Sequence, residues 1–378
     1  MDYFPINIAQ GKAFCNRVEE RHLLKKLIMK GRHTVIIAPR RYGKTSLINQ
    51  TLHELDYPFV IMELTMAVTL KDVEQIVIKS VGALLYSILP TATKAKQKIL
   101  NLFKWLNPEV VLSAKGQKII FHPDWSKLGQ VSNIAEILKK LDEAAAIVNK
   151  RVVIVMDEFQ QLSEIGDPDV KTSEYAIEAG IRNAMQYCQN TSYIFSGSHR
   201  QMLLSMFNGK SRPFYNSCEI MTIDRIDQKD YQKFIQDAAI QQWKKPIPDE
   251  VLQKIFELTE LHPNYINRLC GYFWLLEEFP TLDKITQYWD QIVQSKKSEF
   301  TEDVLSLSRN QKKLLSHIVE NLVTQPGSAK VTTALGLSEA STRLAMKVLL
   351  EKDFIYQTKE GVYRILDPAM RDMLKQLI

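Results

Sequence analysis

Five short apolar segments alternate with stretches of helical spacing in the first 223 residues. They are HTVIIA (33–38), YPFVIMEL (57–64), RVVIVMDEF (151–159), SYIFSGS (192–198) and EIMTI (219–223). The third has five consecutive apolar residues, which is typical of a strand buried on both faces, as parallel sheets require. Strands alternating with helices over this length predict an α/β fold, with a parallel five-stranded sheet flanked by helices.

Between the second and third strands, residues 66–150 have mostly helical spacing. The middle of this stretch, KGQKIIFHPDWSKLGQ (115–130), predicts an exposed excursion with a hairpin. Its aromatic residues are open to two interpretations, as fillers of a small core or as a partner surface.

The pattern changes after Asp224, where strand signals stop. Residues 225–300 are predicted to be helical, and the final segment predicts three helices followed by two short strands around Gly361. That order is typical of a winged helix, a variant of the helix-turn-helix. The predicted domains are therefore 1–224, 225–300 and 301–378.

Composition narrows the class of protein. With 378 residues, 45% hydrophobic and 24% charged, the chain is typical of a globular protein of two or three domains. No apolar run reaches the roughly 20 residues of a membrane helix, since Lys79 interrupts the best candidate. The N-terminus does not have the pattern of a secretory signal. Four widely spaced cysteines predict reduced thiols in a cytoplasmic protein: Cys15, Cys188, Cys218 and Cys270.

The segment APRRYGKTS (38–46) lies between the first strand and a helix, where a phosphate-binding loop is found. Such a loop needs inward backbone N–H groups, a lysine for the β and γ phosphates and a hydroxyl for Mg²⁺. Gly43, Lys44 and Thr45 supply the turn, the cation and the hydroxyl at a helix N-terminus. Ala38 stands where the first glycine is usual, and it is tolerated if the backbone there has negative φ.

Two acidic residues follow the most apolar strand, at Asp157 and Glu158. A carboxylate there can hold Mg²⁺ through water, and the next one can act as a general base for the attacking water. We therefore predict binding of Mg²⁺–ATP and its hydrolysis. Ser196 and Ser198 end a strand predicted to lie between those of the loop and the acids. Either could sense the γ-phosphate or simply belong to a turn.

Together these motifs resemble the archaeal-type ATPase family. It is part of the P-loop branch that includes the AAA+ origin-recognition ATPases and the STAND signalling ATPases. Five segments carry the resemblance: FCNRVEE (14–20), APRRYGKTSL (38–47), VVIVMDEFQQL (152–162), FSGSHRQML (195–203) and LHPNY (261–265). Asn16 and Leu261 replace glycines of the family pattern. Ala38 also replaces a glycine, but the family resembled here often lacks the glycine at that position. The resemblance implies an α/β core, a helical lid and a winged helix that change shape between ATP and ADP states.

The resemblance also implies site residues. The predicted nucleotide-binding residues are Arg17, Pro39, Arg40, Arg41, Tyr42, Gly43, Lys44, Thr45, Ser46 and His262. Thr45 and Asp157 are predicted to hold Mg²⁺. The predicted catalytic residues are Lys44, Glu158, Ser196, Ser198 and Arg212. Arg40 and Arg41 are each open to two roles, contact with phosphate or pairing with an acid. Arg212 or Arg200 is a candidate arginine finger or an ordinary surface arginine.

The helical period of SEASTRLAMKVLLEKD predicts that Thr342, Ala345, Met346 and Leu349 face the core of the winged helix. Only two of the outward positions carry a positive charge; these positions are Glu339, Ser341, Arg343, Leu344, Lys347 and Val348. From residue 305 to 378 there are 11 Lys and Arg against 7 Asp and Glu, a net charge of +4. This modest positive charge favours a protein partner over DNA, because a DNA-binding surface is usually more basic.

Three functions remain open from the sequence. The first is an ATP-driven molecular switch coupled to a protein partner, and the second is an ATP-dependent DNA-binding protein of the initiator type. The third is a binding module that keeps ADP bound and hydrolyses ATP negligibly. The intact Asp157–Glu158 pair argues against this third function. Oligomer formation on nucleotide binding stays open as well.

Overall fold

The computed structural model describes residues 3–113, 116–124, 131–165, 175–358 and 360–377. It has two compact units. The sheet unit comprises Val18–Arg40 and Leu47–Ile223, and the lid–wing unit comprises Met1–Arg17, Arg41–Ser46 and Asp224–Ile378. The predicted limits at 224 and 300 stay predictions.

The strands of the sheet unit are β1 (Thr34–Ile37), β2 (Phe59–Glu63), β3 (Pro108–Ser113), β4 (Gly116–Phe121), β5 (Val152–Asp157), β6 (Thr191–Gly197) and β7 (Glu219–Thr222). Five of them form one sheet in the order β2-β5-β6-β1-β7, with every neighbouring pair parallel. Register pairs Val35 with Phe195 and Ile154 with Tyr193. The predicted five-stranded parallel sheet is confirmed, and β6 lies between β1 and β5.

The helices that accompany this sheet are α1 (Val18–Met29), α2 (Lys44–Leu55), α3 (Leu70–Ile88), α4 (Thr93–Leu102), α5 (Val131–Ile147), α6 (Ala176–Tyr187) and α7 (Arg200–Asn208). Short 3₁₀ helices span Lys104–Leu106 and Phe159–Glu164. All residues of β1 and β6 are buried, as parallel strands covered on both faces require.

The predicted hairpin exists as β3 and β4, which pair antiparallel and begin at Pro108, earlier than predicted. The prediction that this stretch is exposed is wrong for β4. Ile119 and Phe121 are buried, because alternate residues of the strand face α3, and a Cβ at Gly82 of that helix would lie 2.9 Å from the carbonyl oxygen of Ile119. Trp125, another aromatic of the predicted excursion, lies outside the described residues.

The lid–wing unit has helices α8 (Gln228–Trp243), α9 (Asp249–Thr259), α10 (Pro263–Leu275), α11 (Leu282–Ser295) and α12 (Lys297–Leu305). A 3₁₀ helix spans Gly11–Ala13. Asp249 and Glu250 stabilise the first turn of α9 through the helix dipole, and Pro263 is pre-organised for the start of α10. The core of this unit includes the buried aromatic residues Tyr231, Tyr265, Phe273 and Trp289.

The C-terminal part of the lid–wing unit continues with α13 (Arg309–Glu320), α14 (Ala329–Leu335), α15 (Glu339–Glu351), β8 (Ile355–Gln357), β9 (Tyr363–Ile365) and α16 (Pro368–Leu377). The strands pair antiparallel around Gly361, whose φ of 83° favours glycine. The predicted winged helix is confirmed, and α16 was not predicted.

Among the described residues, no helix is long and apolar enough to cross a membrane.

Candidate functional site

The loop between β1 and α2 has the backbone of a phosphate-binding turn. Arg41 has φ of 65° and Gly43 has φ of 84°, and α2 begins directly afterwards at Lys44. Left-handed residues within such a turn direct successive N–H groups toward one side, which creates a concave site for anions. Ala38 is not among the residues with positive φ, so the missing glycine costs no backbone strain there.

The side chains that begin α2 suit an anionic ligand. Lys44 is buried, with 7% of its surface exposed, at the N-terminus of a 12-residue helix. The helix dipole and the ammonium group act in the same direction and favour a phosphate. Nothing lies within 4 Å of the position that a Cβ at Gly43 would take, so the loop leaves room beside this turn. The donor groups of the loop therefore fit a nucleotide phosphate.

The acidic residues lie at the carboxyl end of β5, as predicted. The Ser196 hydroxyl on the adjacent β6 donates to Asp157 Oδ1 over 2.6 Å, and the Glu158 N–H donates to the same oxygen over 3.1 Å. These donors orient the Asp157 carboxylate. An oriented carboxylate at the end of a strand fits the way Mg²⁺ is held beside substrate phosphates.

Glu158 occupies a left-handed backbone conformation, with φ of 52°, which is strained for a residue with a side chain. Its Oε2 accepts hydrogen bonds from the Ser198 N–H (3.2 Å), the Ser198 hydroxyl (2.8 Å) and Gln160 Nε2 (2.6 Å). The fold thus brings Ser196 to Asp157 and Ser198 to Glu158. The Arg40 Nε in turn donates to the Ser198 hydroxyl over 3.3 Å.

Gln160 is a site residue that the sequence analysis missed. It is 3% exposed, and its Oε1 has no hydrogen-bond partner among the described residues. A Cβ at Gly197 would lie 1.9 Å from that oxygen, so glycine at this position makes room for the carboxamide. The sequence signal was the glycine that follows Ser196 on a strand, since glycine inside a strand often marks the close approach of another group.

Arg17 lies in the lid–wing unit and is buried, with 4% exposed. One of its terminal nitrogens donates to the carbonyl oxygens of Tyr42 (3.1 Å) and Asp224 (2.7 Å). Ser46 accepts a hydrogen bond from the Ala9 N–H over 3.0 Å. These contacts hold the Tyr42 carbonyl and the Ser46 side chain of the loop in place. Direct contact of Arg17 or Ser46 with a nucleotide stays a prediction.

His262 precedes α10 and is buried, with its ring edge-on to Tyr42 at 5.0 Å and to Tyr265 at 5.1 Å. Burial lowers the pKa of His262 to about 3, and the positive charge of Arg225 acts in the same direction. The imidazole is therefore neutral at physiological pH. Its Nδ1 has no hydrogen-bond partner among the described residues, so a polar group remains available in this aromatic setting.

Arg212 lies in an internal ion pair. Its guanidinium donates to both carboxylate oxygens of Glu178 and to the Ser163 hydroxyl (2.9 Å), and it stacks 4.1 Å above the ring of Tyr175. Burial raises the pKa of Glu178 to about 7, and Arg212 opposes that shift. Arg200 is the first residue of α7. A role for either arginine as a finger stays a prediction.

The outward face of α15 carries paired charges. Arg343 contacts Glu339, and Lys347 lies 3.7 Å from Glu351, each pair one helical turn apart. Leu344 between them is 64% exposed. The predicted core positions are confirmed, since these four side chains are buried: Thr342, Ala345, Met346 and Leu349.

Comparisons with known proteins agree with this architecture. Residues 298–376 match the family model "Probable winged helix domain". A Walker-type ATPase of Pyrococcus abyssi has a similar structure, with a TM-score of 0.70 at 16% identity, covering 99% of each chain. The ORC2 protein of Aeropyrum pernix, solved in ADPNP–ADP complexes, has a TM-score of 0.54 at 10% identity, covering 96% of this chain and 94% of that one. No curated protein sequence matches the chain.

Proposed function

We propose that this chain, which has the fold of P-loop ATPases that end in a winged helix, is a molecular switch that binds Mg²⁺–ATP. It hydrolyses the nucleotide slowly and passes its nucleotide state to a protein partner in the cytoplasm. The alternative is an ATP-dependent DNA-binding protein of the initiator type.

One observation carries the proposal of hydrolysis. The parallel strands β1, β6 and β5 are neighbours, so their carboxyl ends share one edge of the sheet. The phosphate-type loop follows the first of these strands, the two serines end the second and the acidic pair ends the third. In open α/β sheets, ligands bind at this carboxyl edge. A nucleotide site supplies one reason for three polar segments to follow strands that end at the same edge of the sheet.

The residues have distinct proposed roles. The Lys44 ammonium holds the β and γ phosphates, and the N–H groups from Arg41 to Thr45 cradle them. Thr45 and Asp157 would hold Mg²⁺, which when bound neutralises phosphate charge. Glu158 takes a proton from the attacking water, and Ser198 and Gln160 keep its carboxylate in place.

The same hydrogen bonds support slow turnover. Three donors occupy Oε2 of Glu158, so an attacking water must compete with them for that oxygen. A partner that removes one of these donors would increase the rate.

The surface of α15 supports a protein partner over DNA. Both of its outward cations have an acidic neighbour on the same helix, and a leucine lies exposed between them. A helix that reads DNA instead presents unpaired Arg, Lys, Asn or Gln to base edges and phosphates. The winged-helix match and the structural similarity to ORC2 keep the initiator alternative open to test.

The test is steady-state ATP hydrolysis by the whole protein, wild type against Glu158→Gln, with and without duplex DNA. We expect slow wild-type turnover that Glu158→Gln abolishes while ATP binding persists. Glu164→Gln, an exposed acid at the end of the 3₁₀ helix that follows Glu158, is the matched control and should hydrolyse like the wild type. Equal inertness of wild type and Glu158→Gln would refute the hydrolytic role. Stimulation by DNA would favour the initiator alternative.

A further inference from the structure

Tyr42 connects the phosphate loop to the rest of the lid–wing unit. The residue lies between Arg41 and Gly43, is 2% exposed and belongs to the same compact unit as the lid and the winged helix. Its hydroxyl accepts a hydrogen bond from Arg225 Nε over 3.0 Å. Its ring contacts His262 edge-on. A movement of the loop would therefore displace the partners of Tyr42.

Arg225 contacts four separate parts of the unit through one planar guanidinium. Besides Tyr42, it donates to the carbonyl oxygen (2.7 Å) and the carboxylate (2.9 Å) of Glu260, just after α9. It also donates to the carbonyl oxygen of Leu366 (2.9 Å), just after β9, and lies 4.8 Å from the ring centroid of Tyr356 on β8. The side chain is 11% exposed. Since the guanidinium fork is rigid, one of these contacts cannot move without affecting the others.

A second set of contacts ends at the same place in the winged helix. From Tyr42 it passes through the ring of His262 to Tyr265, whose hydroxyl lies 2.8 and 2.9 Å from the carboxylate oxygens of Asp367. The same carboxylate accepts from the N–H groups of Ala369 (2.9 Å) and Met370 (3.2 Å) and so caps α16. Both sets of contacts therefore meet at Leu366 and Asp367, the junction of β9 and α16.

We propose that Tyr42 and Arg225 transmit the nucleotide state of the phosphate loop to the junction of β9 and α16. This inference rests on the proposed function, because nucleotide binding at the loop supplies the displacement. Arg225 is a positioning residue that acts through Tyr42. When the loop rearranges around phosphates, the Tyr42 hydroxyl moves, and the buried guanidinium shifts Leu366 and the start of α16 with it. Coupling of this kind requires a contact that both sites influence, and Arg225 is that contact.

Trp289 is a native reporter at the far end of this route. It is 2% exposed, and its indole Nε1 donates to Asp372 Oδ2 on α16 over 2.9 Å. Asp372 also accepts from Arg371, which contacts the same Glu260 that holds Arg225. The chain has five tryptophans, so 5-fluorotryptophan labelling gives few fluorine signals, and the spectrum of Trp289→Phe assigns the relevant one.

The experiment records the fluorine spectrum of the whole protein with and without a non-hydrolysable ATP analogue and Mg²⁺, alongside a direct binding measurement. We expect the analogue to shift the Trp289 signal of the wild type. Arg225→Met and Arg225→Lys should lose that shift while still binding the analogue. Lysine is informative because its single ammonium cannot contact Tyr42, Glu260 and Leu366 together. Arg364→Lys, an exposed arginine on β9, is the matched control and should keep the shift.

The outcomes separate this inference from the proposed function. A wild-type protein that binds no analogue refutes both. Binding without any response of Trp289, or an undiminished response in the Arg225 variants, overturns the transmission alone. The inference is supported if unliganded Arg225→Lys has the same Trp289 signal as the unliganded wild type and that signal does not change when the analogue binds. A purely structural defect would already alter the signal of the unliganded variant. If Arg225→Met does not fold, Arg225→Lys carries the same comparison.

Discussion

Replacement of Gly197 by alanine tests the arrangement around the acidic pair. The new Cβ would lie 1.9 Å from Gln160 Oε1 and 3.0 Å from its Cδ, whereas its contact with Leu203 at 3.5 Å is ordinary. Because the colliding atoms are the far end of a flexible side chain, the carboxamide can rotate away. It then loses the 2.6 Å hydrogen bond from Nε2 to Glu158.

The magnitude follows from that bond. A hydrogen bond to a charged group contributes about 1.5–3 kcal/mol. Alanine also stabilises the protein by about 0.4–1 kcal/mol, because it lowers the conformational entropy of the unfolded chain. This gain applies here because φ at position 197 is not positive. We therefore expect Gly197→Ala to lower the free energy of local opening by about 1–2 kcal/mol. In a Gln160→Ala background the space is vacant, so the same substitution should be neutral or slightly stabilising.

Amide hydrogen exchange at Val155 of β5 and Ile194 of β6 measures the opening free energy without assuming that the whole chain unfolds in one step. The double-mutant cycle should give a coupling energy of about 1.5–3 kcal/mol between positions 197 and 160. Gly327→Ala, whose Cβ would make only ordinary contacts, is the matched control. Additive effects within about 0.5 kcal/mol would refute the reasoning, because they would mean that the two side chains do not compete for space.

Three further predictions follow from buried groups. His262 has a folded pKa of about 3 against 6.5 for the free side chain, so its contribution to stability is complete above pH 6.5 and is lost as pH falls. Wild type should lose about 2 kcal/mol more than His262→Phe between pH 7.5 and 5 in urea titrations. Arg212→Met should cost about 1–3 kcal/mol, because Glu178 loses its donors and its buried carboxyl then takes up a proton near neutral pH. Glu178→Gln should rescue part of this loss in thermal melts, and no rescue would contradict the pair. Gly82→Ala should increase protease cleavage of the β3–β4 hairpin, because its Cβ meets the Ile119 carbonyl oxygen; unchanged cleavage would contradict that packing.

Several features of this protein follow from short-range pattern alone. The five strands of the sheet, the turn at Gly43 and the core face of α15 were each readable from residues a few positions apart. Local backbone sterics and the periods of helix and strand determine such features, so they need no knowledge of the rest of the chain. The unpredicted α16 belongs here too, because Asp367 and Pro368 are a readable start signal.

Tertiary structure alone decided which polar groups meet. Spacing placed Asp157 at a strand end, but only the order of strands in the sheet brought Ser196 to it from 39 positions away. Packing likewise gave Arg212 its partner Glu178, and placed Arg225 between Tyr42 and Leu366, which is 141 positions further along the chain. Two side chains that are distant in sequence leave no periodic pattern that would reveal their contact. Such contacts depend on how helices and strands pack. The proposed coupling of this protein rests on that packing.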